Sequence, residues 1–302
     1  MRIVVFGQAA FGLDVFNALR EADEEIVGVS TPRPGSRPDP LFEAATDANI
    51  PVIATPELRK KESFEQYLDW KPELLVFAFV TDIVRKRVLD AATHGAIQYH
   101  PSLLPKHRGI ASMNWPIISG AAKTGLTIFW VDEGIDTGPI LSQQEFEIDP
   151  QESMGSLYFK KLYPAGVQAL ADGVRLVREG NAPRIEQDHE LASYEPPCGP
   201  EHAEIDFQKP AQVVFNLIRG CDPQPGASAR GDDGQLYKLF DASYRPATPE
   251  EDPGTIIAVN EGTAEISTIG GIITIGRAQL EGERKVPAAE LLKVDMVLRR
   301  PD

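Results

Sequence analysis

Cysteine is nearly absent from this chain. Its 302 residues hold two, Cys198 and Cys221, far apart in a sequence with no sign of secretion. That argues against a structural disulfide and reads both as incidental thiols. Long apolar runs are missing as well. No stretch reaches the roughly 18 to 20 apolar residues that crossing a bilayer requires. The opening Met1-Arg2-Ile3-Val4-Val5-Phe6-Gly7 is too short for a signal h-region and has no small-residue cleavage site. The terminal Arg299-Arg300-Pro301-Asp302 carries no lipidation motif. A soluble, cytoplasmic protein with no membrane partner is the expectation. Positive charge is the third shortage, with 30 Lys and Arg against 45 Asp and Glu and a net charge of −15. A protein that neutralises several phosphates normally shows a basic surplus on some face, so nucleic acid is a disfavoured partner. No third ligand stands at a recognisable spacing from His100 and His107, and both cysteines are isolated, so no metal is expected.

What is present is an ordinary globular composition. Hydrophobic residues make up 42% and charged residues 25%, near the averages for folded soluble proteins, which excludes disordered and fibrous classes. The length fits one large domain or two of unequal size. Residues 1 to about 145 alternate short apolar runs with longer periodic segments, the pattern of strand-helix-strand units in a parallel sheet. Strands are predicted at 3–6, 25–29, 51–53, 74–79, 95–100 and 126–130, and helices at 12–22, 41–48, 83–92 and 112–120. The run 74–79, apolar at every position, reads as a central strand buried on both faces. Prolines 32, 34, 38 and 40 make 31–40 a surface loop. A long helical region over 153–179 contains Pro164, which predicts a kink or break.

Glu195-Pro196-Pro197-Cys198-Gly199-Pro200 interrupts the pattern and marks a linker. The division is therefore a catalytic domain over 1–195, a linker over 196–203 and a C-terminal domain over 204–302. In the last, a helix is predicted at 210–219 and short strands at 237–240, 254–259, 264–267 and 271–275, a small antiparallel barrel or sandwich. It too is acidic, with 11 Lys and Arg against 16 Asp and Glu.

The turn Gly7-Gln8-Ala9-Ala10-Phe11-Gly12 sits where a dinucleotide fingerprint would be, but lacks the G-x-G-x-x-G spacing. The second strand also lacks a terminal acid for a ribose, so no nicotinamide cofactor is expected. The segment after the predicted strand 95–100 carries more chemistry. His100-Pro101-Ser102-Leu103-Leu104-Pro105-Lys106-His107-Arg108-Gly109 follows a strand end, where doubly wound folds place their sites. Downstream, Asp132-Glu133-Gly134-Ile135-Asp136-Thr137-Gly138 brings three carboxylates and two glycines to the same sheet edge. A histidine and a carboxylate can meet there.

HPSLLPKHRG followed by GIDTGPIL, with Asp136 thirty-six positions after His100, resembles the formyltransferase family. Within it the likeness is greatest to the hydrolase domains of 10-formyltetrahydrofolate dehydrogenases, and more distant to methionyl-tRNA formyltransferases. It extends through Ile3 to Gly12, Asp39-Pro40-Leu41, Asn114-Trp115, Thr127-Ile128-Phe129-Trp130 and Ile218-Arg219-Gly220. The resemblance implies a Rossmann-like α/β formyltransferase domain with a mostly parallel sheet, followed by a small OB-like β-barrel. It also implies 10-formyltetrahydrofolate as formyl donor and a pterin ring held largely by backbone. The segments concerned are Phe77, Ala78, Phe79, Val80, Thr81 and Asp82, then Val131, Asp132, Gly134 and Ile135, with Ser102, Leu103 and Arg108 as further contacts. As side chains, Phe77 and Phe79 read as core. Arg108 and Asn114 read equally as substrate contacts or as ordinary polar residues, and His107 as a surface residue.

In the implied chemistry His100 stabilises the developing oxyanion, and Asp136 orients and charges the imidazole and helps remove a proton from the attacking group. Gln98 is the departure. Amine formyltransferases of the family place an asparagine two positions before the histidine, and the dehydrogenases' hydrolase domains lack that amide. Gln98 carries the same donor on a longer arm, so transfer and hydrolysis both stay open. The acceptor is water, giving formate and tetrahydrofolate, or a small amine, or methionyl-tRNA. The tRNA form is disfavoured by the acidic C-terminal domain and by Asp39-Pro40-Leu41-Phe42-Glu43, where tRNA enzymes carry a basic segment. A folate-binding regulator without turnover is the reading from another class, and intact His100 and Asp136 argue against it. These 302 residues include no aldehyde-dehydrogenase or carrier segment, so dehydrogenase activity is not expected of this chain alone.

Overall fold

The computed structural model describes residues 1–33, 35 and 38–301; Pro34, Ser36 and Arg37 of the predicted proline-rich loop, and Asp302 at the end of the C-terminal interval, lie outside the described residues. In chain order the elements begin with β1 (Arg2–Gly7), α1 (Ala9–Glu21), β2 (Glu25–Thr31), α2 (Pro40–Asp47), β3 (Val52–Ala54) and α3 (Lys61–Asp69). Next come β4 (Leu74–Ala78), α4 (Lys86–Leu89), β5 (Ala96–His100), α5 (Asn114–Ile118), β6 (Lys123–Trp130) and β7 (Ile140–Glu147). Then follow α6 (Met154–Leu157), α7 (Tyr163–Arg178), α8 (Ala211–Gly220), β8 (Ala227–Gly231), β9 (Leu236–Pro246) and β10 (Ile256–Val259). The last are β11 (Ala264–Thr268), β12 (Gly271–Leu280), β13 (Val286–Pro287), α9 (Ala288–Leu291) and β14 (Leu298–Arg299).

Two compact units form. The first takes residues 1–108, 125–145 and 161–193, and the second takes 109–124, 146–160 and 194–302.

The first unit is built on a sheet in the order β3-β2-β1-β4-β5-β6-β7. β1 pairs in parallel with β2 and β4, β4 with β5, and β2 with β3, whereas β6 runs antiparallel to β5. This is the mostly parallel α/β sheet that the strand-helix alternation predicts. Its centre is apolar on both faces because both are covered: Ile3, Val4, Val5, Phe6, Leu74, Leu75 and Val76 have no exposed surface. One face packs Phe6, Phe77, Tyr67, Trp70 and Val88 together. On α1, Phe11, Val15, Phe16 and Leu19 form the buried stripe, and Phe11 stacks against Tyr99 with ring centroids 4.7 Å apart. The strand order reverses direction between β1 and β4, which makes their carboxyl ends the switch point of the sheet.

Four local expectations change. The helix predicted over 83–92 is a single turn, α4; Ile83 is 85% exposed and only Val88 of that turn is buried, so its apolar residues share no covered face. Helix α3 lies in a charged stretch with Tyr67 as its one buried residue, too weak an apolar period to read. Strand β7 begins with buried Ile140 and Leu141 and then turns polar. The helical region 153–179 does not break; it stays helical from Met154 to Arg178 and changes type on the way. Met154–Leu157 is followed by a π-type turn over Tyr158–Leu162, and Pro164 sits in the first turn of α7, directly after that turn.

The second unit carries a curled antiparallel sheet, β10-β11-β12-β9-β8-β14, with β13 added against β12. Its core joins Phe215 and Ile218 of α8 to Leu239, Ile256, Ile266, Ile273 and Ile275, all fully buried. Polar groups fasten α8 at its end. Asn114 Nδ2 donates to Gly220 O at 2.8 Å and Gln224 O at 3.1 Å, and Arg219 Nη1 donates to Glu152 O at 2.9 Å. Trp115 Nε1 donates to Pro196 O at 2.8 Å and holds the predicted linker. Cys198 and Cys221 are free thiols, yet their sulfurs lie 3.9 Å apart. Among the described residues no helix is long and apolar enough to cross a membrane.

Candidate active site

His100 is the last residue of β5 and is 4% exposed. Side chains alternate along a strand, so Gln98 shares its face while Tyr99 turns the other way and donates from its hydroxyl to Leu162 O at 3.2 Å. The loop after His100 is folded back by three side chains. Ser102, fully buried, donates to Lys106 O at 2.6 Å; Thr127 donates to Ser102 O at 2.7 Å; Gln143 Nε2 donates to Leu104 O at 2.7 Å. The curl returns the His107 carbonyl to His100 Nε2 at 2.9 Å. A carbonyl only accepts, so Nε2 carries the hydrogen and, in the neutral ring, Nδ1 keeps its lone pair.

Nδ1 faces Asp136 Oδ2 at 3.6 Å, with the imidazole side chain 6% and the carboxylate 10% exposed. That separation is too long for a direct hydrogen bond and short enough for strong electrostatic coupling. The turn that supplies Asp136 is built by Asp132, whose Oδ1 accepts from Gly134 N at 2.9 Å and Thr137 Oγ1 at 2.7 Å. Asp136 has a φ of +55°, in the left-handed region that Asp tolerates better than most residues.

Burial holds the His100 pKa below its ordinary value; the Asp136 charge opposes that shift and does not cancel it. The sign of the stability effect follows. As pH falls below about 6.5, the unfolded chain takes up a proton that the folded chain refuses, and stability is lost until the folded pKa is passed. His100→Asn is therefore expected to flatten the fall in melting temperature as pH drops below about 6.5. Thermal unfolding at half-unit pH steps checks this, and an unchanged slope would contradict it.

Of the other predicted positions, Phe77 and Ala78 are buried in β4. Phe79 corrects the reading of its side chain as core: it is 49% exposed with a φ of +61°, because the chain leaves the strand in a left-handed turn. Phe79, Val80, Thr81 and Asp82 line a shallow recess with Gly7, Gln8, Pro32 and Thr55, beside the carboxyl ends of β1 and β4. Val131, Asp132, Gly134 and Ile135 lead into the Asp136 turn, with Ile135 68% exposed. Leu103 is half-buried, as is His107. Gln98 is half-buried, and its amide has no hydrogen-bond partner among the described residues. Arg108, 3% exposed, is engaged within the protein: its Nη2 donates to Gln187 Oε1 at 2.7 Å and meets His189 Nδ1 at 3.0 Å. Asn114 is tied to the end of α8.

The structure thus brings His100 and Asp136 together and puts Gln98 on the same strand face. Neither His100 nor Asp136 lines the recess of Phe79–Asp82. Thr127, Gln143 and Gln187 were not legible as site residues: Gln143 and Gln187 sit in no motif, Thr127 reads only as part of a strand, and each acts on backbone groups far away in sequence. Among the described residues no group of three or more His, Cys, Asp or Glu is placed to hold a metal ion.

Comparison with known proteins gives two family matches, Formyl transferase over residues 1–172 and Formyl transferase, C-terminal domain, over residues 198–295. The chain is 37% identical to the cytosolic 10-formyltetrahydrofolate dehydrogenase of Xenopus laevis, covering 97% of this chain and 34% of that protein. It therefore spans about a third of the length of that relative. It is 33% identical to the methionyl-tRNA formyltransferase of Clostridioides difficile (strain 630), covering 97% of this chain and 96% of the other. HypX from Aquifex aeolicus, solved in complex with tetrahydrofolic acid, shares the fold with a TM-score of 0.72 at 20% identity, over 96% of this chain and 46% of that one.

Proposed function

Since this chain belongs to the formyl transferase family, we propose that it binds 10-formyltetrahydrofolate and moves the formyl group to water, or to a small amine, with His100 and Asp136 as the acid-base pair. The observation that carries the proposal is the burial of these two side chains against each other at the carboxyl end of β5. Water attacks the formyl carbon, the carbonyl electrons move to oxygen, and collapse breaks the bond to N10. Nδ1 of His100 and the Asp136 carboxylate, both acceptors, share the proton released by the nucleophile. The same proton then goes to N10 as tetrahydrofolate leaves, and formate is the second product. Gln98, with an uncommitted amide on the His100 face, is the group available to donate to the oxyanion.

Two observations support a small acceptor. The C-terminal domain is acidic, and the amide end of α1 is already engaged. In doubly wound folds that end of the first helix is a ready phosphate site, but here Ala9 N–H donates to Asp39 Oδ2 at 2.7 Å. Asp39 also caps α2 by accepting from Leu41 N at 2.9 Å. An acceptor whose phosphate had to lie there would meet a carboxylate.

The test is to follow formate and tetrahydrofolate from 10-formyltetrahydrofolate alone, with a panel of small amines, and with methionyl-tRNA. Formate released without an added acceptor supports hydrolysis, and acceptor-dependent loss of the formyl donor supports transfer. Stable folate binding with no turnover under any of these conditions would overturn the enzymatic reading in favour of a binding protein.

A further inference from the structure

The imidazole of His100 is held from two sides, by Asp136 at Nδ1 and by the His107 carbonyl at Nε2. One side chain outside both motifs reaches the backbone of the Asp136 turn and the guanidinium of Arg108, the residue after His107. Gln187, 5% exposed, follows α7 and is brought to the Asp136 turn by an isolated bridge between Ile140 and Ile185. Its Nε2 donates to Asp136 O at 2.9 Å and to Gly138 O at 2.7 Å. Its Oε1 accepts from Arg108 Nη2 at 2.7 Å and Nε at 3.3 Å. Both amide hydrogens are used and the oxygen takes two bonds, so the group is saturated and its orientation is fixed by opposed donors and acceptors.

The two sets of bonds act on different partners of the ring. Bonds to Asp136 O and Gly138 O hold the peptides that follow Asp136 and Gly138 and maintain the left-handed backbone that turns the Asp136 carboxylate inward. Bonds from Arg108 anchor the residue next to His107, whose carbonyl orients the ring. A buried amide that only sealed a surface coil would have no need to serve both.

We propose that Gln187 is a positioning residue for the His100–Asp136 pair, setting the distance between carboxylate and imidazole without touching substrate. This rests on the reading of that pair as the acid-base machinery. Beside the burial that dominates and lowers the His100 pKa, Asp136 raises it by its charge, and His107 raises it through its carbonyl and lowers it through its ring. If the carboxylate drifts outward, the raising influence weakens and His100 titrates at lower pH.

The experiment measures pH profiles of 10-formyltetrahydrofolate turnover, the His100 titration by NMR, and melting temperatures. It does so for Gln187→Ala and Gln187→Glu, with His100→Ala and Asp136→Ala as controls. The glutamate variant keeps an acceptor for Arg108 and loses the donor to the two carbonyls. Both Gln187 variants are expected to lower kcat about tenfold to a hundredfold, the range that misplacing a reacting group by about 1 Å produces, with KM within about twofold. His100 is expected to titrate at lower pH in Gln187→Ala, which adds no charge of its own. A lower melting temperature with kcat and the His100 titration unchanged would overturn the proposal, as would a glutamate variant that keeps full turnover. If the two control variants retain turnover, the reading of the pair itself fails; if they lose it while the Gln187 variants do not, only the role of Gln187 fails.

Discussion

Replacing His100 with alanine is expected to lower turnover of 10-formyltetrahydrofolate about a thousandfold while leaving folate affinity within about threefold, because general acid-base transfer contributes about 10² to 10⁴. The middle of that range applies because a water can take over part of the proton transfer. Folate affinity should persist because His100 is nearly buried, 4% exposed, and offers little surface for ground-state contact. Asp136→Asn is the companion variant. It keeps the shape of the side chain and removes the charge that raises the His100 pKa, so the limb of the pH profile that belongs to His100 moves to lower pH. If that limb is the acid one, the neutral ring acts as base; if it is the alkaline one, the charged ring acts as donor. Steady-state kinetics with folate fluorescence titration checks both variants. A His100→Ala protein with turnover within tenfold of the parent would remove the histidine from the mechanism.

Gly138→Ala is expected to be nearly as damaging to activity, although it adds a single methyl group. A Cβ at this position would stand 1.7 Å from Trp130 O and 2.9 Å from the Trp130 carbonyl carbon. Both are backbone atoms at the end of β6, so no rotamer change relieves the clash. The turn has to move, and Gly138 is one of the two residues whose carbonyls Gln187 holds. Overpacking of this kind costs roughly 1 to 3 kcal/mol in stability. Kinetically, displacing Asp136 by about 1 Å is expected to lower kcat roughly a hundredfold. Urea unfolding and kcat measured on the same preparation check this. A variant with parental stability and turnover would show that the turn tolerates the shift.

The physical reading of the motif is therefore specific. In Gly134-Ile135-Asp136-Thr137-Gly138, the second glycine is required by the close approach to Trp130. At Gly134 a Cβ would lie 2.0 Å from Thr137 Oγ1, the hydroxyl that donates to Asp132. The turn is compact because its own side chains close it, and Asp136 is carried inward as a consequence.

Much of this protein follows from its sequence alone. Fully apolar runs at 3–6 and 74–78 require strands covered on both faces, and their alternation with amphipathic helices requires a mostly parallel sheet, as found. The closely spaced apolar segments from residue 237 onward point to an antiparallel sheet, also found, though β8 before them was not read. His100 and Asp136 stand at the ends of such segments, so their approach to one sheet edge was legible from local pattern. Each of these signals spans a dozen residues or fewer.

Only the tertiary structure decided the rest, because the deciding groups are distant in sequence and carry no local period. It assigned residues 109–124 and 146–160 to the unit that holds the C-terminal sheet. The chain's exit from β4 turned Phe79 outward although its neighbours are as apolar as any core strand. Closure of the loop after β5 put the hydrogen of neutral His100 on Nε2, through a carbonyl whose position no motif states. A glutamine 79 positions from Arg108 and 51 from Asp136 became the tie between them. Periodicity reports which face of an element is buried; it does not report which polar groups meet when the faces close, and the geometry around His100 is made of those meetings.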